Sequence, residues 1–310
     1  MKENNTFFID KLNNVQKTYT DLLSDINDKI TLNKIIQNDN YYELFVEFIA
    51  SILSQERYLL IDSNLSVNET SNLELTDEDY SKTNKLNSHN LSSFDELLSI
   101  LNNSEFWRIG FFTSGTTGRP KCVYHTIHSL TRNVKKGDRF QDNIWGFCYN
   151  PTHFAGMQVF LQALFNKNPI INLFNCDYDD VEKMMNTYNI THISATPTFY
   201  RSLYPYLKND YPTIERITFG GEAFDSDIAQ KYKSIFPNAR ITNVYASTEV
   251  GSIFAGHGEK LKIPDHFKEY IRVSPKNELL VHKSLMGETN GACPANRSTF
   301  KINPILAIQQ

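Results

Sequence analysis

Cysteine is scarce and scattered in this 310-residue chain: Cys122, Cys148, Cys176 and Cys293 include no close pair. That spacing supports neither a zinc site nor a disulfide framework, and it fits a reducing cytoplasm, where the chain is expected to reside. Long apolar runs are also missing. No stretch approaches the roughly 20 residues needed to cross a bilayer. Met1–Asp10, with Lys2, Glu3 and two Asn, lacks the basic start and apolar core of a secretory leader. Neither sign of charge dominates: 31 Lys and Arg stand against 35 Asp and Glu, a net of −4. Bulk electrostatics therefore draw in neither nucleic acid nor an anionic membrane. No internal repeat or heptad pattern is present. The composition that remains, 40% hydrophobic and 21% charged, suits a globular chain with one large domain or two ordinary ones.

Periodicity predicts helices over 8–25 and 41–55, the second from the helical spacing of Tyr42, Leu44, Phe45, Phe48, Ile49 and Ile52. A strand is expected at Tyr58–Ile61. Residues 62–90, rich in Asn, Ser, Asp and Glu, read as an exposed, mobile loop. Ser93 with Glu96 three residues on opens a helix to Leu101. Beyond Trp107, apolar runs at 107–112, 144–149, 169–174, 191–195, 215–219 and 240–245 alternate with helical stretches at 125–135, 154–166, 178–188, 198–207 and 224–235. Such alternation predicts an α/β fold with mostly parallel sheets flanked by helices. A last strand is expected over Glu278–Val281, and after Lys283 the periodicity stops, so that 284–310 reads as an irregular tail.

The most informative stretch is Thr113-Ser114-Gly115-Thr116-Thr117-Gly118-Arg119-Pro120-Lys121. A strand delivers glycines and hydroxyl residues, and a helix is expected soon after. Glycine lets backbone approach an anion closely. Backbone N–H groups and hydroxyls can then surround phosphate oxygens, and Lys121 adds a cation. The P-loop NTPase spacing is absent, because Lys121 lies three residues after Gly118 and Cys122 follows it. On its own such a loop is equally a tight turn. Downstream, Gly220-Gly221-Glu222 ends a strand, and Tyr245-Ala246-Ser247-Thr248-Glu249 ends another.

The string Thr113–Lys121 resembles the signature of the adenylate-forming superfamily, which contains acyl- and aryl-CoA synthetases, luciferases and peptide-synthetase adenylation domains. The later segments fall in that family's order over about residues 55–283. The resemblance implies the large N-terminal domain of these enzymes over 1–283 and ATP-dependent activation of a carboxylic acid as an acyl-adenylate. Coenzyme A, or the phosphopantetheine of a carrier protein, would then accept the acyl group. It implies that Thr113, Ser114, Gly115, Thr116, Thr117, Gly118 and Lys121 hold the leaving pyrophosphate. Gly220, Gly221 and Glu222 would pack on one face of adenine and Tyr245 on the other. Thr248 would bond the α-phosphate and Glu249 would coordinate Mg²⁺, a hard cation suited to carboxylate oxygen. His153, within Pro151–Gly156, would line the acid pocket, although alone it reads as a helix-start or core histidine. Thr196-Pro197-Thr198 matches a family turn and is also a plain helix cap with Pro at the first position.

Three local departures are Cys122 for a usual Gly, Ala246 for the Gly of Tyr-Gly-x-Thr-Glu, and Thr126-Ile127 with His128 displaced by one. The larger departure follows Lys283. The expected Thr-Gly-Asp segment and the small lysine-bearing C-terminal domain are not found, which suggests a truncated product whose frame was lost near residue 291. Such a product would adenylate poorly. Two alternatives stand beside the CoA ligase: a stand-alone adenylation protein loading a carrier, and a non-catalytic nucleotide- or acyl-binding module.

Overall fold

A computed structural model describes residues 6–86, 89–113, 120–276, 278–289, 299–302 and 308–309. The chain divides into two compact units. The first comprises Met1–Val134, Pro151–Lys167 and Gly287–Gly291; the second comprises Lys135–Asn150, Asn168–Met286 and Ala292–Gln310.

The first unit is built around the helix Tyr41–Leu53. Asn40 caps it by accepting from the amides of Tyr42 and Glu43. Eleven of its residues are buried, so it behaves as a core helix rather than an amphipathic surface one. Phe45 stacks on Phe160 at 4.1 Å and 8°. Phe48 meets Trp107 edge-on at 5.5 Å. The Trp107 indole donates to Ser51 Oγ at 2.9 Å, which satisfies a donor that would be costly to leave unpaired in a core.

Beside this helix lies a five-stranded sheet, in the order Glu288–Thr289, Lys121–His125, Arg108–Thr113, Arg57–Leu60 and Ile35–Ile36. The last three strands run parallel, and the first two add antiparallel. Glu288 reaches across to Arg57 and Arg108 at 3.1 and 3.0 Å. These exposed pairs contribute about 0–1 kcal/mol each.

The second unit carries a sheet ordered Gly251–Gly256, Arg240–Ser247, Arg216–Gly220, His192–Ala195, Trp145–Phe147 and Ile170–Asn172. All neighbours are parallel except the outermost pair, Arg240–Ser247 with Gly251–Gly256. Helices Tyr178–Thr187, Pro197–Leu203 and Ser226–Ile235 connect the strands. Tyr200 ties this layer together: its ring packs on Phe219 and Tyr232, and its hydroxyl lies 3.1 Å from the carbonyl oxygens of both Ile193 and Thr218. A small antiparallel sheet of Ile271–Val273, Leu279–His282 and Thr299–Ile302 follows.

The doubly covered, mostly parallel architecture agrees with the expectation from sequence, and four local expectations do not. Residues 8–25 form no single helix. Phe7, Phe8, Ile9 and Asp10 are consecutively buried in the strand Thr6–Asp10, a pattern that suits a strand buried on both faces. Asp10 then accepts from the amides of Leu12 and Asn13 and from the Asn13 side chain. Asn14 takes a φ of 52°. This local turn chemistry outcompetes helix, and helix begins only at Tyr19, behind the Thr18–Asp21 capping box. Likewise 62–90 is not simply loop. Capping boxes Ser66–Glu69 and Thr76–Asp79 start short helices Val67–Ser71 and Asp77–Ser81, and Thr83–Lys85 pairs with Thr31–Asn33. The helix expected at 125–135 spans only Ile127–Thr131.

The stretch 284–310, expected to lack elements, contains the strands Glu288–Thr289, Thr299–Ile302 and Ile308–Gln309. Gly287 allows the first of these to dock. A Cβ placed there would lie 2.5 Å from Val123 Cγ1 and 2.8 Å from the Tyr124 carbonyl oxygen. Gly287→Ala is therefore expected to destabilise the protein by about 1–3 kcal/mol, the usual cost of overpacking. A lowered urea midpoint would show it; an unchanged midpoint would mean that the segment does not pack there.

His192 supplies a pH test. It is 7% exposed, and burial, aided by the neighbouring Arg216 charge, pushes its pKa from 6.5 to about 4. The unfolded chain then binds the proton more readily. Stability is full above about pH 6.5 and falls as pH drops towards 4, by up to about 3 kcal/mol from this group. In His192→Gln the loss between pH 6.5 and 4 should shrink relative to wild type. Parallel pH profiles would contradict this account.

Candidate functional site

Because the strands of the second unit run parallel, their carboxyl ends emerge along one edge, where open α/β sheets bind ligands. Three of the sequence-derived segments lie there. The strand Arg216–Gly220 ends at Gly220, and Gly221 follows with φ +82°, a conformation that favours glycine. A Cβ on Gly220 would lie 3.1 Å from the Tyr149 hydroxyl, and one on Gly221 would lie 3.6 Å from Thr196 Cγ2. The Glu222 carboxylate accepts from the Thr198 amide at 3.1 Å and its hydroxyl at 2.7 Å, and Arg201 stands at 3.7 Å. Glu222 thus anchors the start of the helix Pro197–Leu203. Thr196 caps the same helix by accepting from the Phe199 amide at 3.1 Å. The Thr-Pro-Thr turn is therefore a helix cap, with Pro197 in the first turn.

Val244 pairs in register with Gly220, which brings Tyr245 and the turn beyond it to the same edge. The register slips between Tyr245 and Ala246 against the outer strand. Such a bulge re-aims the side chains that follow. Tyr245 is 5% exposed and stacks on Phe254 at 5.7 Å and 28°. It belongs to an apolar cluster with Val250, Leu279 and Val281. Burial, with a smaller push from the Glu249 carboxylate, raises its phenol to about 12. Glu249 and Thr248 occupy the turn after the strand, both partly exposed. Ser247 Oγ beside them is buried without a hydrogen-bond partner.

In the first unit, Thr113 and Lys121 pair as neighbours on antiparallel strands. The Gly/Thr loop is therefore closed by a β-ladder. The strand Lys121–His125 comes first after the loop, and the helix expected soon after it begins at Ile127. Ser114, Gly115, Thr116, Thr117 and Gly118 lie outside the described residues; Lys121 is exposed. Cys122 sits over Gly110, where an added Cβ would come within 2.7 Å of its sulfur. Burial raises that thiol to about 11. His153 precedes the helix Phe154–Leu164 without capping it by side chain. Surrounding protein lowers its pKa, with the Asp62 charge acting in the opposite sense.

From sequence, Tyr149 belongs with Phe147, Phe154 and Phe199 to aromatic content that allows an apolar acid and is equally ordinary core, while its partner Ser194 carried no signal. Tyr149 stands just past the Trp145–Phe147 strand and hydrogen-bonds with Ser194.

The AMP-binding enzyme family model matches residues 68–281, more than half of the chain. The chain belongs to this family. It is 23% identical over 254 residues to the 2-succinylbenzoate–CoA ligase of Staphylococcus epidermidis, covering 77% of this chain and 52% of that protein. It is 25% identical over 150 residues to N-benzoylphenylalaninol synthetase apmA of Penicillium brevicompactum, covering 47% of this chain and 6% of that protein. The chain thus spans about half of the ligase's length and a small part of the synthetase. Its fold resembles that of O-succinylbenzoate coenzyme A synthetase (MenE) from Bacillus subtilis, solved in complex with ATP and magnesium ion. The TM-score is 0.69 at 16% identity, covering 96% of this chain and 73% of that one. Among the described residues, no helix is long and apolar enough to cross a membrane.

Gly221→Ala is expected to lower stability by about 1–2 kcal/mol, the cost of holding a side chain at left-handed φ. Thermal unfolding measures this, and an unshifted midpoint would remove the case for strain at this turn.

Proposed function

We propose that the carboxyl edge of the second unit binds ATP and a carboxylic acid and supports formation of an acyl-adenylate, with coenzyme A as the subsequent acceptor. The observation that carries this reading is the convergence of the Gly220–Gly221 turn, Tyr245 and Glu249 on one sheet edge in a member of the AMP-binding enzyme family. The flat glycine backbone suits contact with a purine ring. Tyr245, backed by Phe254, offers an aromatic face on its other side, which the entering base would have to uncover. Thr248 would donate to the α-phosphate.

Glu249 fits Mg²⁺. Among the described residues no cluster of three His, Cys, Asp or Glu exists, and Mg²⁺ characteristically takes one or two carboxylates plus phosphates and water. The unpartnered Ser247 oxygen nearby adds to an all-oxygen surrounding. When bound, the ion would supply charge neutralisation on the phosphates. The work of the chain itself is positioning: it holds the acid carboxylate in line with the α-phosphorus, so that one P–O bond forms as the bond to pyrophosphate breaks. A carrier-borne thiol is the second reading for the acceptor, favoured by the match to a synthetase of which this chain covers only 6%.

The test is Mg²⁺-dependent ATP binding by titration calorimetry, beside acid-dependent pyrophosphate release with a pool of fatty, aryl and amino acids. Wild type should bind Mg²⁺·ATP, and Glu249→Gln should lose the metal dependence and at least about 100-fold in any release rate. ATP binding that is absent, or equal in both proteins with and without Mg²⁺, would overturn the assignment.

A further inference from the structure

The Tyr149 side chain occupies an unusual place for a residue that follows a strand. Three parallel strands lie side by side, with Phe147 opposite Ser194 and Ser194 opposite Thr218. Tyr149 starts beyond the end of the first, hydrogen-bonds with Ser194 of the second, and places its hydroxyl 3.1 Å from where a Cβ on Gly220 of the third would stand. The ring therefore lies across the carboxyl edge and spans three neighbouring strands. Its oxygen fills the space that a side chain at position 220 would take. Tyr149 as a whole residue is half-buried. Burial raises the phenol's pKa, the Ser194 hydrogen bond opposes it, and Cys148 and Glu222 add smaller upward pushes; Glu222 itself is bound to Thr198.

We infer that Tyr149 sets the depth of the acid pocket, acting as a floor that admits a compact acid, aryl or short-chain, and excludes a long alkyl chain. This rests on the reading that the same edge holds an acyl-adenylate. If the purine packs against Gly220–Gly221, the acyl group joined to its phosphate must lie close by. A long alkyl tail would then meet a phenol already bound to Ser194. Displacing that phenol would leave polar groups unpaired in a desolvated site, whereas a flat aryl group can rest on the ring itself. Tyr149 is accordingly a specificity-determining residue and takes no part in the bond changes.

The experiment measures binding, so it does not depend on turnover. Acyl-sulfamoyl adenosines carrying benzoyl, butanoyl or dodecanoyl groups are titrated into the whole chain by calorimetry. Wild type should bind the benzoyl and butanoyl probes at least about tenfold more tightly than the dodecanoyl probe. Tyr149→Ala should tighten dodecanoyl binding by about tenfold, and Tyr149→Phe, which keeps the ring, should retain the wild-type order. Tyr149→Leu serves as the second shortening variant if Tyr149→Ala does not fold. Equal binding of all three probes by wild type, or an unchanged ratio in the shortened variants, would overturn the inference while leaving the functional reading intact. Failure of folded wild type to bind any probe would overturn that reading and this inference with it.

Discussion

The in-step parallel pairing of the second unit's strands is the constraint from which the candidate site follows. His192, Arg216 and Arg240 stand opposite one another at the strand starts, and Gly220 faces Val244 at the ends. Parallel hydrogen bonding gives each strand the same direction, so every turn into a helix or loop opens on the same side. The glycine turn, the Thr196 cap, Tyr149 and the Tyr245–Glu249 segment come from strands far apart in sequence, and they meet only because the register keeps them level. Tyr200 reinforces that alignment by bridging the carbonyls of two adjacent strands.

Several of the meeting points serve structure as well as chemistry. Glu222 is tied to Thr198 and flanked by Arg201, so its negative charge is largely committed to a helix start. Tyr245 is held in an apolar cluster against Phe254. Glu249, by contrast, follows the bulge in a partly exposed turn. Within this edge the groups that would meet a ligand directly are the glycine backbone and the turn after the strand, while their neighbours hold them in place. Such support from locked surroundings is what makes a site precise.

Much of this was legible in the sequence. The parallel strands of the second unit's sheet were found within a residue or two because buried parallel strands read as short apolar runs, whereas the antiparallel Gly251–Gly256 and Ile271–Val273 were not foreseen, and the family resemblance rested on strings that the fold does place at strand ends. What failed had local causes. At Asp10–Asn14 side-chain hydrogen bonds and a positive φ cut short an apparent helix. At Ser66 and Thr76 the capping pattern was present but outweighed by polar composition. The strand Lys121–His125 was not foreseen, since alternation of buried and partly exposed residues over five positions is too short to decide. The aromatic content around Phe147 and Tyr149 was legible, but not where Tyr149 lies, because that depends on register between strands far apart in the chain, where Phe147 comes to face Ser194.

Gly287 and the strand behind it bear on how the molecule is made. Arg57 and Glu288, which meet in the first unit's sheet, are separated by 231 positions. During synthesis the chain emerges from its N-terminus, and domains generally fold as units in that order. The strand Lys121–His125 therefore remains a bare sheet edge until Glu288 is made, the kind that invites mispairing with other chains. Its cover arrives only when residues 287–289 leave the ribosome, after almost the whole second unit. Closing so long a loop adds little more entropy cost than closing a shorter one, but it comes late, so the first unit's final ladder is the step most exposed to aggregation and the place where a chaperone would matter most.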